Sequence, residues 1–205
     1  IIARGLVAKN GDGHIYFDYG GVPYPEGLVD EELLAWIENM ENPLDFDIVL
    51  KTKEISDAAG QNLAVGYSLL YHIDSKESDY DKQCNLDMIS AITGITEWDH
   101  LIAVGSSSNG SIYDGVSTTF LIEFEENIDT EQLVETIKEQ MNPKEWNFAS
   151  EEYNEYYHNL TDENIAVEAK GKYIYIALVG DELLKFGRSA SPAALVGAFK
   201  RVIEE

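Results

Sequence analysis

Four carboxylate side chains lie close together in one short polar segment of the chain. They are Asp74, Glu77, Asp79 and Asp81. Carboxylate oxygens at such short spacing are suitable ligands for Ca²⁺, so the segment predicts a calcium site. The segment contains no Gly that would let the backbone wrap tightly around an ion, and two nearby lysines compete for the acids. The competing prediction is a solvated acidic loop in a chain without a cofactor.

A second segment combines tyrosine with glutamate. It runs from Glu151 to His158 and contains Tyr153, Tyr156 and Tyr157. Tyrosine beside polar residues is common at binding surfaces, because its side chain provides a large contact area at a small entropic cost. These three tyrosines and His158 are therefore predicted to form a protein-binding surface. The alternative is an edge strand that packs one aromatic face inward.

Two N-glycosylation sequons begin at Asn109 and Asn159. Both are expected in turns or at strand ends, where a glycan can be accommodated. The sequence therefore predicts Asn109 and Asn159 as glycan acceptors if the protein is extracellular.

The familiar sequence signatures of enzymes are missing from this chain. The four histidines lack the spacing of zinc ligands, and the single Cys84 has acidic neighbours that disfavour a reactive thiolate. There is no Gly-x-Ser-x-Gly nucleophile elbow and no glycine-rich phosphate loop. Carboxylate pairs of the kind used by glycoside hydrolases are too numerous to be specific. We leave catalysis open and favour a non-enzymatic function.

The charge of the chain is strongly negative. Its 205 residues include 38 Asp and Glu against 14 Lys and Arg, which gives a formal net charge of −24. Such a charge repels nucleic acid and anionic lipid surfaces and attracts cations and basic proteins. No apolar run is long enough to insert into a bilayer, and a lone cysteine excludes an intramolecular disulfide.

Two halves of the chain repeat similar motifs about one hundred residues apart. Residues 1–5 resemble residues 101–105, and Asn42-Pro43 is matched by Asn142-Pro143. This pattern predicts a tandem duplication, with a first repeat at residues 1–100 and a closely packed second repeat at residues 101–205. Each repeat is expected to be a β-β-α-β-β-α unit, with an antiparallel sheet and helices on one face. The predicted fold class is α+β.

Individual elements follow from hydrophobic periodicity and from turn and capping residues. The predicted helices are capped by Asp30, Asp129 and Ser191, and a further helix covers Leu86–Ile95. Asp74–Lys82 and Gly105–Ser111 are expected to be polar loops or turns. The predicted strands include Phe46–Thr52, Leu63–Ile73, Leu101–Val104, Thr118–Phe124, Asn154–Leu160, Ile165–Ala169 and Tyr173–Val179.

These observations favour a non-enzymatic binding or assembly domain that is exported or displayed at the cell surface. The chain begins at Ile1 rather than Met, which indicates a processed product. Its partner is expected to be another protein or a second copy in a homo-oligomer. Two alternatives remain open: a cytosolic acidic adaptor that binds a basic protein, and a hydrolase with carboxylates in the groove between the repeats.

Overall fold

The computed structural model describes residues 7–9, 15–17, 46–61, 65–75, 78–109, 115–147 and 151–203. The predicted helix after Asp30 lies outside these residues, as does Glu77 of the acidic segment.

The described strands form a short hairpin and one larger sheet. Strands β1 (Val7–Lys9) and β2 (Ile15–Phe17) pair with each other. The five-stranded sheet is antiparallel throughout, in the order β3-β4-β5-β7-β6. Its strands are β3 (Val65–His72), β4 (Leu101–Asn109), β5 (Ser117–Phe124), β6 (Ile165–Lys170) and β7 (Tyr173–Val179).

Six α-helices accompany the strands in the described part of the chain. They are α1 (Asp47–Ala58), α2 (Asp79–Thr93), α3 (Thr130–Gln140), α4 (Glu151–His158), α5 (Asp181–Lys185) and α6 (Pro192–Val202). Two short 3₁₀ turns cover Pro143–Glu145 and Asp162–Asn164. The α+β class and the antiparallel sheet are therefore confirmed.

Two of the predicted helix starts are confirmed by their hydrogen bonds. The Asp129 side chain accepts a hydrogen bond from the backbone N–H of Gln132, and the Ser191 side chain accepts one from Ala194. Each bond satisfies a backbone donor that the first turn of the helix leaves free. Pro192 occupies the first turn of α6, where the missing N–H of proline costs nothing.

The sheet is covered by helices on both faces, so the prediction of helices on one face is wrong. On one face α2 and α3 enclose a core that includes Phe120, Ile122 and Ile176. On the other face α1 and α6 pack over Leu121, Tyr175 and further apolar residues. Every residue of β7 is buried. A strand that is apolar at successive positions presents a hydrophobic surface on both faces, and both must be removed from water.

Two segments predicted as strands are helices. Phe46–Thr52 contributes most of its residues to α1, whose buried side chains Ile48, Val49, Thr52, Ile55 and Ser56 recur at helical spacing. Asn154–Leu160 lies largely in α4. Its tyrosines are three and four positions apart in the sequence. This spacing is compatible both with one side of a helix and with a short strand, and the structure shows a helix.

Two segments predicted as loops or turns carry regular structure. Strand β4 continues to Asn109, through most of the expected turn at Gly105–Ser111. Helix α2 begins at Asp79 within the expected acidic loop Asp74–Lys82. Ser78 caps that helix by accepting a hydrogen bond from the backbone N–H of Asp81, a local signal that the sequence interpretation overlooked.

The predicted duplication of a β-β-α unit is not confirmed. The five-stranded sheet takes β3 from the first predicted repeat and its other four strands from the second. A shift of one hundred residues relates β3 to β6, but it relates β7 to residues 73–79, which form a turn and the start of α2 where they are described.

Candidate binding site

The acidic segment lies between β3 and α2. Asp74 is exposed in the turn after β3, and Asp79 and Asp81 lie in the first turn of α2. Carboxylates in this position interact favourably with the helix dipole, and Asp81 also accepts a hydrogen bond of 2.7 Å from the Ser78 hydroxyl. Among the described residues, no group of three or more His, Cys, Asp or Glu side chains is arranged to hold a metal ion. Since Glu77 is not described, the calcium site stays a prediction.

The tyrosine segment forms helix α4, and Tyr157 anchors it to the core. The Tyr157 ring is buried and contacts the Trp146 ring edge to face, with 5.5 Å between the ring centroids. Its hydroxyl lies 3.2 Å from the Thr118 hydroxyl of β5. Tyr157 therefore attaches the helix to the sheet and is not available to a partner.

The neighbours of Tyr157 reach the surface on either side of α4. Tyr156 is half-buried, while His158 is exposed. The His158 Nε2 atom lies 2.8 Å from the Trp146 carbonyl oxygen. Because a carbonyl can only accept, Nε2 carries the proton and donates this bond. The side chain of Tyr153 lies outside the described residues, so its predicted role stays a prediction.

On the Tyr156 side lies a concave surface that we name the acidic groove, with a volume of about 560 Å³. Three carboxylates and one lysine contribute to it. Glu155 and Glu182 form no ion pair with any described residue, while Asp181 accepts a hydrogen bond of 2.7 Å from the Asn164 amide. The lining residues are Gly115, Val116, Glu155, Tyr156, Asn159, Leu160, Gly180, Asp181, Glu182 and Lys185.

On the His158 side lies a second concave surface, the lysine groove, with a volume of about 940 Å³. Its cationic residues are Lys138, Lys144 and, when protonated, His158. The remaining lining is mostly apolar or amide, with one carboxylate. It consists of Met141, Asn142, Pro143, Asn159, Leu160, Thr161, Asp162, Ile165 and Val167.

The carboxylates in the described part of the chain are almost all exposed to solvent. Every Asp and Glu whose side chain is described is exposed, apart from the half-buried Glu123 and Glu168. These two pair with Lys172 and Lys200 at 2.9 Å and 2.8 Å. The hydrogen bond with Glu123 raises the pKa of Lys172. The described region thus contains no buried carboxylate of the kind that acts as a general acid in a hydrolase.

The acids of α5 and the lysines on either side of Pro143 line the two grooves but were not predicted as site residues from the sequence. Asp181 and Glu182 follow Gly180 at the end of a buried strand, where a polar side chain begins to meet solvent. That change from apolar to acidic residues could have predicted that these two acids lie at the surface. Lys138 and Lys144 are separated in sequence by the end of α3 and the following turn, so only the fold shows that they share a groove.

The two sequon asparagines occupy opposite environments. Asn159 is exposed after α4, at the rim of both grooves. Asn109 is buried at the end of β4 rather than lying in the expected turn. Its amide nitrogen donates a hydrogen bond of 2.6 Å to the Gly115 carbonyl, and its Oδ1 accepts one from the Ser117 N–H. A glycan on the Asn109 nitrogen would need space that this buried side chain does not have.

Replacing Asn109 by alanine is expected to lower the free energy of unfolding by about 1–3 kcal/mol, because a buried carbonyl and a buried N–H lose their partner. Asn159→Ala removes an exposed side chain and serves as the matched control, with an expected change within about 0.5 kcal/mol. Urea denaturation followed by circular dichroism measures both. Equal effects at the two positions would contradict the bridging role of Asn109.

Comparison with known proteins finds no matching family, no matching curated protein and no matching solved structure. None of the helices in the described part of the chain combines the length and hydrophobicity needed to cross a lipid bilayer.

Proposed function

We propose that this chain is a non-enzymatic binding protein whose acidic groove recognises a basic protein partner. The observation that carries the proposal is that two exposed carboxylates, Glu155 and Glu182, lie beside the half-buried Tyr156 in one concave surface and form no ion pair with any described residue. A groove of this composition suits a lysine or arginine side chain. The carboxylates pair with its charge, and a tyrosine ring favours contact with a cation.

The charge of the whole chain supports the same class of partner. A net charge of −24 produces a field that speeds the approach of a basic protein and repels acidic ones. It also opposes self-association, because two copies repel each other. We therefore favour a different protein over the homo-oligomer, and the exported or cell-surface location stays a prediction.

Ring packing and hydrogen bonds hold the elements that carry the acidic groove. Tyr157 and Trp146 attach α4 to the sheet, and Asn164 is buried and holds Asp181 while also donating to the carbonyl of Val179. A partner would therefore meet side chains whose backbone is already in place, which lowers the entropic cost of binding.

A fluorescent arginine-rich peptide is a direct probe of this proposal. We expect it to bind the chain at physiological ionic strength, and to bind the double variant Glu155→Gln/Glu182→Gln about tenfold more weakly. Two surface ion pairs together contribute about 1–2 kcal/mol, which corresponds to this loss. Fluorescence anisotropy gives the dissociation constants.

The control must change the net charge by the same amount at a different place. Glu131→Gln/Glu139→Gln does so on exposed positions of α3. It is expected to weaken binding less than twofold at physiological salt, where charges more than about 10 Å apart are largely screened. An equal loss in both double variants would show that only total charge matters and would contradict a specific groove.

A further inference from the structure

The acidic groove and the lysine groove meet at the end of helix α4. Asn159 and Leu160, the two residues that follow the helix, line both grooves. Leu160 is buried, while Asn159 is exposed. Because the same two residues line both grooves, the grooves adjoin each other. A ligand that extends beyond one groove at this boundary can therefore continue into the other.

The two grooves carry opposite charges. Three carboxylates and one lysine line the acidic groove, whereas two lysines and one carboxylate line the lysine groove. All seven of these residues are exposed, so their charged groups are accessible to a ligand. They are Glu155, Asp181, Glu182 and Lys185 in the acidic groove, and Lys138, Lys144 and Asp162 in the lysine groove. A ligand that spans the boundary therefore meets mainly carboxylates at one end and mainly lysines at the other.

The two lysines of the lysine groove are available for a new ion pair. Lys144 forms no ion pair with a described residue, and the ion pair of Lys138 is with Glu135, at 3.4 Å on the exposed surface of α3. An exposed pair of this kind contributes little to stability, so a carboxylate of a ligand can replace it at small cost. Three half-buried apolar residues line the same groove: Met141, Pro143 and Ile165.

We propose that one extended segment of the basic partner protein occupies both grooves. A lysine or arginine of the segment lies in the acidic groove, and an Asp or Glu of the same segment pairs with Lys138 or Lys144. Between them the segment crosses Asn159, whose exposed amide can donate a hydrogen bond to its backbone and accept one from it. This inference rests on the proposed function, because the basic residue in the acidic groove provides the anchor. It adds that the recognised segment must carry an acid as well as a base.

The sign of one effect distinguishes this arrangement from general electrostatic attraction. An acid added to a basic peptide weakens its attraction to a chain with a net charge of −24. Direct contact with the groove lysines reverses that effect, because charges more than about 10 Å apart are largely screened at 0.1 M salt while charges in contact are not. A peptide position at which glutamate strengthens binding therefore indicates contact with a cationic side chain of the protein.

A series of fluorescent peptides tests the proposal on the full chain. Each peptide joins the same arginine-rich core, at either of its ends, to a flexible Gly/Ser linker of increasing length that terminates in Glu or in Gln. We expect Glu to bind about three- to fivefold more tightly than Gln over one narrow range of linker lengths, which is the effect of one exposed ion pair. At the other lengths Glu is expected to bind no more tightly than Gln. Fluorescence anisotropy at physiological ionic strength gives the dissociation constants.

Variants of the protein identify the groups that recognise the glutamate. Lys138→Gln/Lys144→Gln is expected to abolish the advantage of Glu over Gln and to leave the affinity for the Gln peptide within about twofold, which makes the comparison a double-mutant cycle. Lys53→Gln/Lys200→Gln is the matched control. It changes the net charge by the same amount at exposed positions of α1 and α6, outside both grooves, and should preserve the advantage of Glu.

The outcomes separate this inference from the proposed function. If the arginine-rich core alone fails to bind, the proposed function and this inference are both wrong. If the core binds but Glu strengthens binding at no linker length, the inference is overturned and the acidic groove acts alone. An advantage of Glu that persists in Lys138→Gln/Lys144→Gln, or that the control variant loses equally, would also overturn the inference.

Discussion

Replacing Phe199 by alanine is expected to lower the free energy of unfolding by about 3–5 kcal/mol. The Phe199 side chain is fully buried between α6 and the sheet, and its ring stacks on the Tyr175 ring of β7 with 5.2 Å between the centroids. Removal of the ring leaves a cavity that close-packed neighbours cannot refill, and the aromatic contact is lost as well. Since native domains are stable by only about 5–15 kcal/mol, this is a large part of the total.

Urea denaturation monitored by tryptophan fluorescence measures this loss. Phe186→Ala is the matched control, because it deletes the same ring from a side chain that is 73% exposed, and its expected effect is within about 0.5 kcal/mol. A loss below about 1.5 kcal/mol at Phe199 would mean that α6 does not cover the sheet as the structure shows.

Phe199 also illustrates what the sequence alone could predict. Its spacing from Leu195 and Ile203 indicated an amphipathic helix after Ser191, and all three side chains are buried. The hairpin of Ile165–Ala169 and Tyr173–Val179 was predicted almost to its bounds, because an apolar run on each side of Lys170-Gly171-Lys172 is a strong local signal. Long periodic segments with clear end signals were thus predictable.

A helix was wrongly predicted as a strand where the local sequence pattern was compatible with both. Ile48, Val49 and Leu50 form a short β-prone run, yet Ile48 and Val49 are buried in a helix, while Leu50 is 42% exposed. A run of three such residues is too short to distinguish the periodicity of a helix from that of a strand. Tertiary contact with β4 decides in favour of the helix, and no single-sequence pattern contains that contact.

The candidate site was predictable only in part. Residues Tyr156 and His158 were singled out by composition, and both line concave surfaces. The partners that make these surfaces chemically distinct, Glu182 on one side and Lys138 on the other, come from segments remote in sequence. Their convergence depends on how α3 and α5 pack around the sheet, which local patterns do not encode.

Helix α1 and strand β4 are in close contact at Gly105, so Gly105→Ala is expected to cost about 2–3 kcal/mol. A Cβ atom at this position would lie 2.7 Å from the Thr52 hydroxyl and 3.0 Å from the Ile48 carbonyl oxygen. The Thr52 hydroxyl cannot move away freely, because it donates a hydrogen bond of 2.7 Å to that same carbonyl. The helix itself would have to shift.

Gly66→Ala is the matched control for this prediction. Gly66 lies in β3, and a Cβ atom there would meet only the Ser108 carbonyl oxygen, at 3.9 Å. Because alanine restricts the unfolded chain more than glycine does, this variant is expected to be neutral or to stabilise by up to about 1 kcal/mol. Differential scanning calorimetry of the two variants therefore gives shifts in Tm of opposite sign or very different size. Equal shifts in Tm would mean that α1 and β4 are farther apart at Gly105 than these distances indicate. The helix would then cover this face of the sheet without close packing at Gly105.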